Sequence, residues 1–198
     1  MSVDGQDYWR CGVCEATFLD PRQRMDLAAE RAHYRTHENT VDDPGYRAFL
    51  AKLVTPLLER LRVGSSGLDF GCGPGPALAA MLGEAGHRVA LYDPCFAPDK
   101  SVLEARYDFI TCTEVLEHLH EPAEVLDQLA SLVRPGGWLG LMTCFQTDDA
   151  RFANWSYRRE PTHVVFYRQV TLARIAQARG WHAEFPAKDV ALMRFPGP

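Results

Sequence analysis

The chain has 198 residues, 46% hydrophobic and 24% charged, with a formal net charge of −5. That is the composition of a folded globular domain with a small appendage, and its sign argues against a broad electropositive nucleic-acid surface. No apolar run approaches the roughly 20 residues that span a bilayer.

Met1-Ser2-Val3-Asp4 has neither the basic region nor the apolar core of a signal peptide, so a cytoplasmic protein is expected. Its six cysteines are then expected as free thiols rather than disulfides. Residues 8–20 read as a zinc knuckle. Cys11 and Cys14 flank a Gly12 turn that can aim two thiolates at one metal. His33 and His37 are four apart on a predicted helix and share a face. The expected zinc set is therefore Cys11, Cys14, His33 and His37, within an amino-terminal unit of residues 1–43. A redox pair or two free thiols are the alternatives.

A helical stripe follows over 44–61, with Phe49, Leu53, Leu57 and Leu61 at i+4 spacing. Gly64-Ser65-Ser66-Gly67 breaks it. An apolar strand over Gly67–Phe70 leads into Gly71-Cys72-Gly73-Pro74-Gly75, and an Ala/Leu-rich helix over Pro76–Ala85 follows. Strand, glycine turn and helix make a nucleotide-binding βα unit. The glycines allow a sharp turn with no Cβ between backbone and ligand, and the helix start favours polar ligands. Pro76 stands where a dinucleotide fingerprint needs Gly or Ala, and the Gly-Lys-Ser/Thr of a P-loop is absent. Arg88–Tyr92 is a second strand ending at Asp93, placed 20 residues after Gly73 to accept the hydroxyls of a ribose.

Asp69 followed by Gly-x-Gly-x-Gly resembles motif I of the class I S-adenosylmethionine (SAM) methyltransferases, and the resemblance extends over most of residues 65–195. It implies an α/β Rossmann-like fold over 44–198, with a mainly parallel sheet, an antiparallel final strand and helices on both faces. It implies SAM held by Asp69, Gly71, Cys72, Gly73, Pro74, Gly75 and Asp93, with Thr113 and Glu114 alongside. Residues 94–106 depart from the pattern. They are too few for a full third strand, leaving a stub such as Ser101–Leu103 or none, and the acid that reads adenine has no clear match.

Tyr107–Thr113 is apolar and continuous, as a central parallel strand should be. Glu114, Glu117 and His118 follow at i, i+3 and i+4, which converge on one face if the segment is helical. Two carboxylates and an imidazole are half of a hard divalent-metal site. The block is similar to that of the quinol O-methylase and small-RNA 2′-O-methylase branches, which implies a metal there. Other family members carry it without metal, with His118 near SAM or substrate.

A helix from Glu121-Pro122, the turn Arg134-Pro135-Gly136-Gly137 and a strand over Leu139–Cys144 come next. Residues 145–165 form an aromatic and basic loop at the carboxyl edge of the sheet. There His163 is the first candidate for general base and for a further metal ligand, with His118 second. A helix over Phe166–Ala178 and a hairpin of Trp181–Phe185 with Val190–Phe195 close the chain. The expected activity is SAM-dependent methyl transfer to a small hydroxyl-bearing or planar acceptor. An RNA terminus gripped by Arg158 and Arg159, or a SAM- or zinc-binding regulator without turnover, is the alternative.

Overall fold

The computed structural model describes residues 1–36 and 39–197. Its first turn is Asp4-Gly5, both at positive φ (51° and 80°). This two-residue hairpin matches the twist of paired strands. It joins β1 (Ser2–Val3) to β2 (Gln6–Arg10), with Val3 opposite Gln6. β3 (Thr17–Leu19) folds back on β2, so Cys11 to Ala16 is a hairpin loop, closed by the Cys11 N–H on the Ala16 carbonyl at 2.9 Å. α1 (Leu27–Tyr34) is capped by Asp26, and its single buried residue is Glu30. Polar contacts, not apolar burial, hold it.

α2 (Pro44–Leu58) is capped by Asp43 and buries Leu50, Leu53, Val54 and Leu57. The buried stripe is thus turned from the predicted one: Phe49 is half-buried and Leu61 lies beyond the helix. β4 (Ser66–Phe70), α3 (Ala77–Glu84) and β5 (Arg88–Tyr92) form the βα unit. Residues Lys100–Glu104 then make a 3-10 helix, and no third strand forms. The chain crosses to β6 (Tyr107–Thr113), on the other side of β4 from β5.

α4 (Pro122–Leu132) and β7 (Val133–Met142) follow. The expected Arg-Pro-Gly-Gly turn is an irregular start to β7. Gly136 has φ 76°, and a Cβ on Gly137 would stand 2.6 Å from the Asp108 carbonyl. The expected loop at 145–165 contains α5 (Asp149–Phe152) and a 3-10 turn, Ser156–Arg159. β8 (Val165–Phe166) pairs with β3, so the helix α6 (Gln169–Ala178) starts later than the predicted Phe166. β9 (His182–Ala187) and β10 (Val190–Arg194) form the hairpin.

The six-stranded sheet runs β5-β4-β6-β7-β10-β9, with β10 antiparallel to both neighbours. Alternation along β6 and β7 sorts side chains to two faces. Phe109, Trp138 and Met142 meet α2 and α3, whereas Ile110, Cys112, Leu139 and Leu141 join the core with α4 and α6. A second sheet, β1-β2-β3-β8, adds Tyr8, Leu19 and Phe166 to that latter core. Connections leave β4 in opposite directions, to β5 on one side and eventually β6 on the other. The carboxyl ends of β4 and β6 therefore open into a crevice where ligands bind in such sheets.

Candidate functional site

That crevice is a cavity of about 920 Å³. One half is backbone and carboxylate. The Gly71 and Cys72 N–H groups donate to the Tyr92 carbonyl at 2.7 and 3.3 Å, which ties the glycine loop to the end of β5. Gly71 and Gly73 have φ of 77° and 64°. A Cβ on Gly71 would strike Val115 Cγ2 at 2.3 Å, while one on Gly73 would meet nothing within 4 Å, because Gly73 faces the cavity. Asp93 is 9% exposed. Its Oδ2 accepts the Gly73 N–H at 3.1 Å, and its Oδ1 accepts those of Cys95 and Phe96 at 2.7 and 3.0 Å. Cys95, Phe96, Lys100 and Leu103 extend this wall.

The other half is built by the 114–118 segment and the 156–163 loop. Glu114 ends β6 at φ 52°, a left-handed conformation rare for a side chain with a Cβ, and its N–H donates to the Met142 carbonyl at 2.8 Å. Burial and the neighbouring Glu117 push its carboxyl up to about 8. Glu117 is wholly buried. Its Oε1 accepts from the Tyr157 hydroxyl at 2.6 Å, and the same hydroxyl oxygen lies 3.3 Å from Glu114 Oε2. Glu117 Oε2 and Thr113 Oγ1 are buried without a hydrogen-bond partner.

Two imidazoles face this pair, 4.6 Å apart between ring centres. His163 Nδ1 lies 2.7 Å from the Tyr157 carbonyl and His118 Nδ1 3.1 Å from the Thr162 carbonyl. A carbonyl only accepts, so each Nδ1 carries a proton, and in the neutral ring the lone pair is on Nε2. Burial, aided by His118, pushes His163 down to about 4, so it stays neutral. His118 Nε2 is 4.0 Å from Glu117 Oε1. Glu117, His118 and His163 each offer a ligand atom within 4.8 Å of the others. Tyr34 stands edge-on to His118 at 5.3 Å and closes the wall.

A family model described as a methyltransferase domain matches residues 43–184. The chain belongs to this methyltransferase family. It is 30% identical over 103 residues to the ubiquinone biosynthesis O-methyltransferase of Paraburkholderia phytofirmans, a match covering 40% of this chain and 44% of that protein. Against the same-named protein of Sodalis glossinidius it is 33% identical over 114 residues, 58% of this chain and 44% of that one. The matched segment thus spans less than half the length of these curated relatives. The fold is similar to a crystal structure of the Burkholderia thailandensis 1,6-didemethyltoxoflavin-N1-methyltransferase with bound 1,6-didemethyltoxoflavin and S-adenosylhomocysteine (TM-score 0.59, 18% identity, 96% of this chain and 99% of that one). It also resembles the mitomycin 7-O-methyltransferase (TM-score 0.54, 15% identity, 84% and 66%).

Within this methyltransferase fold, Gly71, Cys72, Gly73, Pro74, Asp93, Thr113 and Glu114 line the cavity. Asp69 and Gly75 are not among its lining residues. Asp69 is buried at the end of β4, accepts the Thr111 hydroxyl at 2.9 Å, and is raised by burial to about 7. Gly75 is needed because a Cβ there would stand 2.1 Å from the Asn39 carbonyl oxygen. Burial pushes the Cys72 thiol up to about 12, which suits a filler rather than a nucleophile.

The helical convergence expected of Glu114, Glu117 and His118 does not occur. Only Leu116–His118 form a 3-10 turn, and Glu114 meets Glu117 through Tyr157 instead. Among the described residues the zinc set is not assembled either. His33 Nε2 binds Glu160 at 2.7 Å, and among the described residues no group of three metal-ligating side chains includes Cys11 or Cys14. His37 lies outside the described residues. Arg158 is unavailable to grip a phosphate, because it is 2% exposed and bound to Asp4, Gln6 and Tyr8. Among the described residues no helix is long and apolar enough to cross a membrane. Tyr157 was missed by sequence reasoning, which saw only an aromatic loop. The Asp4-Gly5 pair is a hairpin signal legible in the sequence.

Proposed function

We propose that this chain transfers a methyl group from SAM to a small, uncharged acceptor bearing a hydroxyl or a ring N–H. The observation that carries the reading is a single cavity lined by a glycine loop and Asp93 together with two imidazoles, His118 and His163. Asp93, Glu117 and Glu160 line it, Glu114 being raised to about 8 and so mostly uncharged at neutral pH, with Lys100 as the single Lys or Arg among the described lining residues. A cavity of that sign suits the sulfonium cation and disfavours anionic acceptors. Asp93 takes the ribose hydroxyls, and Gly71–Pro74 give the methionine portion an open backbone face. The acceptor lone pair attacks the methyl carbon in line. The carbon–sulfur bond breaks, and its electron pair stays on sulfur as the thioether. The acceptor proton passes to an imidazole Nε2. The sequence favours His163 as the base, but a group pushed down to about 4 is a weak one at neutral pH. His118 is the better choice, since a proton on its Nε2 meets the Glu117 carboxylate 4.0 Å away. Catalysis otherwise rests on proximity and orientation.

A second observation favours a metal in the same place. The unpartnered buried Glu117 Oε2 and the two Nε2 lone pairs are a donor set that fits a divalent cation. Bound there, it would polarise an acceptor hydroxyl. Glu117, His118 and His163 would hold it, and Glu114 lies outside the set. Calorimetry with S-adenosylhomocysteine, followed by a labelled-SAM screen over phenols, hydroxylated rings and N-heterocycles, tests the main reading. No cofactor binding would end it.

A further inference from the structure

We propose that Arg158 is a positioning residue: it anchors the Tyr157 turn to the amino-terminal hairpin and so holds Glu117 and His163 in their working geometry. The inference rests on the reading of Glu117, His118 and His163 as the acceptor end of the cavity.

Arg158 itself does not line the cavity. Its side chain is 1% exposed; Nη1 and Nη2 are spread over one set of acceptors, while Nε is buried without a hydrogen-bond partner. Nη1 donates to Gln6 Oε1 and to the Tyr8 hydroxyl, each at 3.2 Å. Nη2 donates to Asp4 Oδ2 at 2.5 Å and to the Ala153 carbonyl at 3.0 Å. Three of these four partners belong to the β1–β2 hairpin, at the far end of the sequence. Burying a guanidinium is costly unless its donors are matched, and a methionine or leucine would fill the space without that cost. What the planar fork adds is direction. Asp4, at positive φ in a two-residue turn, offers its carboxylate from a stiff support.

The residue before Arg158 shows what that direction serves. Tyr157 touches the site twice, at both ends of the residue. Its hydroxyl donates to Glu117 Oε1 at 2.6 Å, and its carbonyl accepts from His163 Nδ1 at 2.7 Å. A shift of the Ser156–Arg159 turn therefore moves the carboxylate contact and the imidazole tautomer together. Apolar packing already seats the hairpin, through Tyr8 on Phe152 and Phe166 with ring centres 5.0 and 6.0 Å apart. Trp155 on Phe152 and Phe166 and the Tyr157 hydroxyl against Thr143 hold the turn from the other side, and Arg158 adds a directional tie from the hairpin. The glycine loop and Asp93 take no part in the chain of contacts.

The test compares Arg158→Met, Arg158→Lys and Asp4→Ala with wild type in the full chain. The readouts are kcat, KM for SAM, and long-range nitrogen–proton spectra that report which His163 nitrogen carries the proton. Arg158→Met is expected to lower kcat at least tenfold on the acceptor that wild type methylates fastest, with KM for SAM within twofold. Its His163 signal is expected to leave the pure Nδ1–H form for a tautomer mixture. Arg158→Lys, which keeps the charge for Asp4 but not the fork, is expected to recover part of both. Asp4→Ala acts from the exposed end, is expected to shift both readouts in the same sense by less, and decides the matter if Arg158→Met does not fold. Wild-type kcat and tautomer in the folded variants would overturn the proposal, as would an equal loss in kcat and SAM affinity. If wild type methylates nothing, the functional reading fails, and the tautomer spectra alone decide whether Arg158 positions His163.

Discussion

Replacing Gly71 and Gly73 separately by alanine distinguishes what two glycines in one loop do. Both have left-handed backbones, which cost a residue with a Cβ about 1–2 kcal/mol. At Gly71 the new carbon would also lie 2.3 Å from Val115 Cγ2, where carbon atoms ordinarily approach to roughly 3.5–4.0 Å. Relieving such an overlap adds about 1–3 kcal/mol. Gly71→Ala should therefore destabilise by about 2–5 kcal/mol and Gly73→Ala by about 1–2, because no atom lies within 4 Å of its Cβ. At roughly 2–4 °C per kcal/mol for a chain of this size, thermal unfolding resolves the two. Val115→Ala should restore about 1–3 kcal/mol to Gly71→Ala and nothing to Gly73→Ala. Binding should invert the order of interest. Gly73→Ala, the better folded protein, still points its methyl into the cavity and should lose roughly tenfold or more in S-adenosylhomocysteine affinity by calorimetry, which corresponds to about 1.4 kcal/mol or more. Equal destabilisation of the two variants, or no coupling to Val115, would refute the steric account. Undiminished binding by Gly73→Ala would remove the ligand from that face.

Asp69 gives a pH prediction. Burial raises its folded value to about 7 from 3.8, so between those values the unfolded chain releases a proton that the folded one keeps. Stability should then fall as pH rises from about 4 to about 7, by up to about 4 kcal/mol, and Asp69→Asn should flatten the fall. Urea titrations at pH 5 and 8 with the same difference for both proteins would contradict this. Asp93→Ala should cost about a hundredfold or more in S-adenosylhomocysteine affinity, two hydrogen bonds to a charged group at about 1.5–3 kcal/mol each being lost. An unchanged dissociation constant would sink the ribose assignment. For metal, Glu117→Gln should abolish retention of added manganese and Cys11→Ser should not. Equal retention by wild type and Glu117→Gln on elemental analysis would end the metal reading.

The βα unit was readable because each of its signals is local. An apolar run, glycines that tolerate positive φ at 71 and 73, and an acid at the end of the next strand are all set within 30 residues. The same locality misled at Glu114. The i, i+3, i+4 spacing predicted a shared helical face, but the chain leaves β6 through a left-handed residue before any helix begins. At Cys11 and Cys14 a motif suggested partners 19 and more residues away, and the packing sent His33 to Glu160 instead.

Sequence alone therefore determined the sheet's central strands, the glycine loop and the placing of Asp93, since backbone sterics and side-chain alternation act between near neighbours. Tertiary structure decided which side chains complete the other half of the cavity. Asp4, Glu117, Tyr157, Arg158 and His163 come together only because β8 pairs with β3 and the loop between β7 and β8 folds over the carboxyl ends of β4 and β6. No residue spacing encodes those distances, which follow from how separately formed elements bury their apolar faces against one another.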